Sequence, residues 1–237
     1  MNKVFLQAEW RKLIMVNYAV NPSLLQPCVP YRTELDLWNN TCYISLVGFM
    51  FLHTKVMGFK VPFHVSFEEV NLRFYVRCHD NGQWKRGVVF IKEIVPKPVL
   101  ARVANTLYHE NYATMPMKHT WCLSGEQWTI EYRWKKNSWN SLQIIAGNEL
   151  RPLQPGSQEE FIAEHYWGYA KVSESKTVEY AVRHPKWEVY TTKDYAVEVD
   201  FGDVYGKHLS FLNNTRPESV FLAEGSGVTV SYGRFIR

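Results

Sequence analysis

Glu69, Asn71 and Arg73 alternate with Val70, Leu72 and Phe74. On a strand, where side chains point to opposite faces in turn, the three polar residues share one face. Together they can hold an anion and move a proton. The planar fork of Arg matches a carboxylate, and a Glu in a tuned environment serves as acid or base. Facing an interior, the trio needs internal partners or a ligand; facing solvent it needs neither. The alternation leaves both orientations open, and we expect the interior one. A second candidate stretch is Tyr112-Ala-Thr-Met-Pro-Met-Lys-His119, which follows a helical pattern. Tyr112, Thr114 and His119 suit a pocket or a merely polar loop, and Met115 and Met117 suit a core or an apolar pocket wall. His165-Tyr-Trp167, Tyr169 and His184-Pro-Lys-Trp187 add aromatic surface, for which core packing is the expected role.

The rest of the sequence narrows the chemistry. There is no glycine-rich phosphate loop, no His-Glu-x-x-His and no Gly-x-Ser-x-Gly, and no two of the eight histidines stand four apart. Neither a metal nor a cofactor is expected. Cys28, Cys42, Cys78 and Cys122 are far apart without a Cys-x-x-Cys pair, as reduced thiols would be. The 27 basic and 23 acidic residues are scattered and leave a net charge of +4, which gives no footprint for nucleic acid. The longest apolar run, Leu46 to Leu52, is too short for a membrane span, and polar residues interrupt the first ten positions where a signal core would lie. A soluble, cytoplasmic protein is expected, and a homo-oligomer is compatible with the sequence.

These residues must be positioned mainly by strands. Strand-like runs cover Arg11 to Val20, Glu34 to Trp38, Thr41 to His53, Phe63 to Cys78 and Trp84 to Pro96. Asn39-Asn40, Met57-Gly58 and Asp80-Asn81-Gly82 mark turns, the last a tight hairpin. Asn21 and Pro22 open a short helix that ends before Pro30. Apolar residues at helical spacing predict an amphipathic helix over Lys97 to Tyr108. Beyond it lie strands at Trp121 to Leu123, Trp128 to Lys135 and Ser138 to Ala146. A loop over Arg151 to Gly156 and a capping box at Ser157 to Glu160 follow. Strands at His165 to Val172, Thr177 to Val182, Glu188 to Thr192 and Ala196 to Val199 precede a helix at Asp203 to Leu212, and two strands, Val220 to Ala223 and Val228 to Phe235, close the chain. With 46% hydrophobic residues, no repeat and no linker, the pattern predicts a single α+β domain over residues 1–237, built on a mainly antiparallel β-barrel or sheet with a few helices.

Ala8 to Tyr18, Phe67 to Val76, Asn105 to Tyr108 and Asn111 to His119 closely resemble the YqjF-like family, a domain of unknown function related to acetoacetate decarboxylase. The resemblance covers essentially the whole chain and implies an acetoacetate-decarboxylase-like fold. Counting back from Tyr18 matches Arg11 to the enzyme's active-site arginine. Phe67-Glu-Glu69 is similar to its Tyr-x-Glu motif and matches Glu69 to a pocket glutamate. Met115-Pro-Met-Lys118 resembles its Tyr-Pro-Lys-Lys motif, with Met117 in place of the Schiff-base lysine and Lys118 at the second lysine. A thioether cannot condense with a ketone, so Schiff-base decarboxylation loses its central atom. The enzyme's other glutamate lies on the strand resembling Thr41 to Leu52, which here contains no carboxylate.

The expectation that follows is a barrel cavity binding a small carboxylate or keto acid. Glu69 and Lys118 are its candidate acid-base groups, and Arg11, Arg73, Asn71, Tyr112, Met117 and His119 line it. Three alternatives stay open: a non-covalent acid-base enzyme, a non-catalytic binding or structural protein that has lost the decarboxylase chemistry, and a shifted register in which Lys118 is itself the nucleophile. Arg11 is equally suited to pairing with a surface acid.

Overall fold

The computed structural model describes residues 3–60, 62 and 64–236. Its strands are β1 (Val4–Val20), β2 (Glu34–Leu35), β3 (Cys42–Val56), β4 (Phe67–Asp80), β5 (Gln83–Val95), β6 (Tyr112–Thr114), β7 (Met117–Ser124), β8 (Gln127–Lys135), β9 (Trp139–Pro152), β10 (Trp167–Ser173), β11 (Lys176–Arg183), β12 (Glu188–Glu198), β13 (Ser219–Ser231) and β14 (Arg234–Ile236). The α-helices are α1 (Pro98–Tyr108), α2 (Gln158–Ala163) and α3 (Phe201–Tyr205). The fold is mostly sheet with few helices. Nearly all pairings are antiparallel, the exceptions being β5 with β6 and β5 with β10. Among the described residues no helix is long and apolar enough to cross a membrane.

Pairing runs in the order β11-β10-β5-β4-β3-β1-β13, and β11 also pairs with β13, which closes these strands into a ring. From β13 the sheet continues through β12, β9 and β8 to β7. The strands of the ring are therefore buried on both faces. Leu13, Met15, Phe49, Phe51, Phe67 and Tyr75 pack together on one face. Ile14, Val16, Leu46, Val70, Leu72 and Phe74 pack on the other against Ile130, Tyr132, Trp134, Leu142 and Ile144 of β8 and β9. Side-chain alternation decides which residue enters which core.

The alternation is unbroken along β4 but shifts elsewhere. In β1 the register against β3 slips between Arg11 and Ile14, with Lys12 at φ 55°, so the inward series Ala8, Trp10 continues as Leu13, Met15. In β5 the register against β4 slips where Leu72 pairs Lys92 and Arg73 pairs Phe90, so the cavity-lining series Val88, Phe90 continues as Glu93, Val95. Both are bulges that place one extra residue on a strand and reverse its facing.

Local chemistry fixes the turns. Asn81 and Gly82 take φ 51° and 78°, the pair of positive angles a two-residue hairpin requires. Asn21 accepts a bond from Ser23 N ahead of Pro22, and Ser157 accepts from Glu160 N to open α2. Pro98 stands in the first turn of α1, and His109 ends the helix at φ 56°.

Several boundaries differ from the sequence reading. Glu34 to Trp38 shortens to β2, after which Trp38 bridges Thr41 across Asn39-Asn40. The expected start at Phe63 lies outside the described residues. Glu188 to Thr192 and Ala196 to Val199 form one continuous β12 across an irregular stretch, because β9 pairs with both parts. Arg151 and Pro152 belong to β9 rather than to the loop. The helix expected over Asp203 to Leu212 is broken at Gly206 (φ 118°) into α3 and a 3-10 segment, Lys207–Asn214.

Gly225 at φ 81° faces Arg11 across β1 and β13, and an added Cβ would meet the Trp10 carbonyl oxygen at 2.0 Å. Gly225→Ala is expected to cost at least about 3 kcal/mol in chemical denaturation. Gly58→Ala, at φ 87° with nothing within 4 Å of the new atom, is expected to cost only about 1 kcal/mol. Equal losses would mean that the close approach beside the β1 bulge is not what the glycine is needed for.

Candidate functional site

Inside the ring, bounded by β1, β3, β4, β5, β10, β11 and α1, lies a cavity with about 130 Å³ open to the centre of a water molecule. That is room for roughly ten waters. Trp10, Phe49, Phe51, Phe67 and Phe90 supply aromatic wall, and Leu100, Val103 and Ala104 of α1 cover one side. Val99 and Leu107 of the same helix point away and are largely exposed.

The polar lining comes first from the unbroken alternation of β4, which turns Glu69, Asn71 and Arg73 inward while Val70, Leu72 and Phe74 enter the opposite core. Glu93 joins them because the β5 bulge sets it directly across from Asn71, and β6 then sets Tyr112 beside Glu93. Glu110, Tyr180 and His165 complete the set. Asn71 Nδ2 donates to Glu69 Oε1 at 2.9 Å, and the Tyr112 hydroxyl donates to Glu69 Oε2 at 3.2 Å. The Tyr180 hydroxyl donates to Glu110 Oε1 at 2.6 Å.

Several buried atoms here have no partner among the described residues: Asn71 Oδ1, Arg73 Nε, Glu93 Oε2, His165 Nδ1 and Thr54 Oγ1. Buried polar groups are ordinarily hydrogen-bonded, so such a concentration around one space marks a place for water or ligand. Arg73, only 7% exposed, makes a single long bond from Nη2 to the Ile162 carbonyl at 3.4 Å.

Electrostatics set the protonation states. Burial pushes Glu69 up to about 7 against the opposing pull of Asn71, Tyr112 and Arg73. Burial also raises Glu110 to about 8, with Glu69 adding to it, and lifts Glu93 well above the carboxyl range, with Glu110 and Glu69 reinforcing the effect. Tyr112 and Tyr180 are pushed far above the usual phenol value, first by burial, and remain donors. His165 falls to about 4, because burial outweighs its bond to Asp36, and is neutral at ordinary pH.

Four expected site residues lie elsewhere. Arg11 is on the outer side of β1, donating to Glu9 Oε2 at 2.7 Å and lying 3.5 Å from Glu224. Counting back from Tyr18 fails for it because the Lys12 bulge reverses the facing. Lys118 is exposed on β7, at the far end of the sheet, with its ammonium 5.3 Å from the Trp139 ring centre. Met117, on the same strand, packs against the core on the opposite face of the sheet from the cavity. His119 is exposed and pairs with Glu68, the outward neighbour of Glu69, at 2.7 Å. Among the described residues no lysine lines the cavity.

The comparisons with known proteins follow the same lines. A match to the DUF2071 family, described as an uncharacterized conserved protein, spans residues 7–227. The chain belongs to that family. It is 28% identical over 159 residues to the uncharacterized protein YqjF of Bacillus subtilis (strain 168), a stretch covering 67% of this chain and 62% of YqjF. Among solved structures it resembles acetoacetate decarboxylase from Legionella pneumophila at a TM-score of 0.65 and 13% identity, covering 98% of this chain and 87% of that one. It also resembles the enduracididine biosynthesis enzyme MppR complexed with pyruvate, at a TM-score of 0.66 and 12% identity over 99% and 91% of the two chains. These likenesses establish an acetoacetate-decarboxylase-like fold for the DUF2071 chain.

Glu69 predicts a sign for stability against pH. The folded state keeps its proton where the unfolded chain, with a value near 4.5, has released it, so stability falls as pH rises from about 4.5 to about 7. His165 acts oppositely, since its folded value of about 4 lies below 6.5, and it adds stability as pH rises between them. Glu69→Gln is therefore expected to stabilise the protein by about 1–3 kcal/mol near pH 8 and by little below pH 4.5, read from denaturation curves. A destabilised variant at alkaline pH would show that the ionised carboxylate is needed.

Proposed function

We propose that this member of the DUF2071 family binds a small organic carboxylate in the ring cavity through Arg73, with Glu69 as proton donor or acceptor beside it. The observation that carries the reading is the Arg73 guanidinium, buried at the cavity wall with Nε unpartnered. A buried cation calls for an anion, and a carboxylate offers the acceptor geometry that Arg matches. The apolar walls favour an amphipathic guest. A keto acid can enter by the same contact, through its carboxylate on Arg73. The pyruvate complex of MppR is consistent with an anionic guest in this fold.

The chemistry available is acid-base rather than covalent. A Schiff base needs a neutral amine next to the ketone, and among the described residues no lysine lines the cavity. Lys118 is exposed outside it. The reading goes with a cytoplasmic, single-domain protein whose four cysteines are free thiols.

Arg73→Met is expected to weaken binding of a carboxylate such as pyruvate or acetoacetate by about a hundredfold or more in calorimetry. Unchanged affinity would refute the anion site. Binding to the wild type should tighten as pH falls from about 9 to about 6, because an anion enters readily only when Glu69 is protonated. The groups facing Glu69 are Asn71 and Arg73 on β4, Glu93 on β5, and Glu110 and Tyr112 beside β6; Arg73 is the only cation among them.

Borohydride treatment in the presence of acetoacetate or pyruvate should leave Lys118 unmodified in mass spectrometry. An adduct there would restore the covalent mechanism with a different register.

A further inference from the structure

His165 is 6% exposed and stands between two networks. On one side its Nε2 lies 3.2 Å from Asp36 Oδ2, to which Arg86 Nε also donates at 2.6 Å. Burial opposes the Asp36 charge, yet the bonds from His165 and Arg86 outweigh it and hold the carboxyl below its usual range. Asp36 is therefore an ionised acceptor, and the imidazole must give it the Nε2 proton. A neutral ring has only one, so Nδ1 keeps a bare lone pair. That atom is buried, has no partner among the described residues, and belongs to a ring that lines the cavity. Tyr75 at 4.7 Å and Phe161 at 5.1 Å, edge-on, hold the ring in place.

Arg73 is its neighbour. The guanidinium lies 5.7 Å over the ring of the same Tyr75 and bonds to the carbonyl of Ile162, three residues before His165. The two residues thus present complementary unmet groups: a charged N–H donor and a neutral lone-pair acceptor. A plain carboxylate satisfies only the first. The oxygen of a keto acid, placed at the second, would meet another lone pair. A hydroxyl on the carbon next to the carboxylate meets both needs at once.

Building on the carboxylate reading, we propose that the cavity selects α-hydroxy acids with an apolar side chain, His165 Nδ1 accepting the hydroxyl hydrogen while Arg73 takes the carboxylate. Asp36 and Arg86 are positioning residues that fix the tautomer. His165 is the residue that separates an α-hydroxy acid from its deoxy and keto counterparts, and the aromatic wall around Phe49 and Phe51 takes the side chain.

Calorimetry at neutral pH with phenyllactate, hydrocinnamate and phenylpyruvate tests this. The wild type should bind phenyllactate at least about tenfold more tightly than either of the others, the discrimination expected of a buried acceptor left unpaired by the wrong ligand. His165→Phe should abolish that preference, so that phenyllactate binds no more tightly than hydrocinnamate. Equal affinities in the wild type, or a preference that survives His165→Phe, would overturn the role of His165 while leaving the carboxylate site standing. No binding of any of the three, or binding indifferent to Arg73→Met, would remove the carboxylate site and this proposal with it. Should His165→Phe fail to fold, heteronuclear NMR of the imidazole nitrogens in the wild type decides: phenyllactate must shift Nδ1 and hydrocinnamate must not, and identical responses overturn the assignment.

Discussion

A single guanidinium faces three carboxyls across a space lined mainly by apolar side chains, and the charge state of the cavity follows from that imbalance. With Glu69, Glu93 and Glu110 all ionised against Arg73, two uncompensated negative charges would sit where desolvation is severe. Protons are retained instead, and the carboxyls become donors as well as acceptors. Tyr112 and Tyr180 keep their hydroxyl hydrogens for the same reason, and His165 stays neutral. With Glu69 protonated the cavity carries the charge of Arg73, and with Glu69 ionised the two cancel, so one proton sets its net charge.

Such a polar set is tolerable on strands that carry large apolar residues on their other face. Val70, Leu72 and Phe74 supply the β4 share of the second core, so Glu69, Asn71 and Arg73 need not contribute to hydrophobic burial there. The bulges add what alternation alone could not. One in β5 brings Glu93 to the cavity. The other, in β1, leaves both Arg11 and Lys12 outside it, where unbroken alternation would have turned one of the two inward. Lys12 Nζ donates at 2.6 Å to Tyr190 and to Glu224, with its ammonium 4.1 Å over the Trp128 ring, and Arg11 is held by Glu9.

What could be read from the sequence divides along the same physical line. The hairpin at Asn81-Gly82, the first long helix and the shared face of Glu69, Asn71 and Arg73 follow from period and turn chemistry, which act within a few residues. The inward placement of Glu93 and the outward placement of Arg11 depend on single extra residues whose position is set by pairing with distant strands. Strict alternation through Phe90-Ile-Lys-Glu93 puts the carboxylate on the wrong face, and only the break in the apolar pattern there hinted otherwise. His165 was visible as an aromatic beside others, but its partner Asp36 is 129 residues away and no spacing rule connects them. The motif Met115-Pro-Met-Lys118 misleads about geometry for a related reason. β6, ending at Thr114, pairs with β5, and β7, starting at Met117, pairs with β8, so the chain leaves the cavity wall between Tyr112 and Met117.

The cavity also bears on whether covalent amine chemistry could run inside this ring. A Schiff-base lysine must be neutral to attack, and its pKa is lowered by desolvation or by a cation close by. Here the polar end of the cavity is a carboxyl cluster, and a lysine introduced beside Glu69, Glu93 and Glu110 would be stabilised as ammonium by any of them that ionised. The amine would neutralise the acids instead of attacking a ketone. A nucleophilic lysine placed there would therefore need a changed charge environment as well as the amine. A single substitution supplies only one of the two.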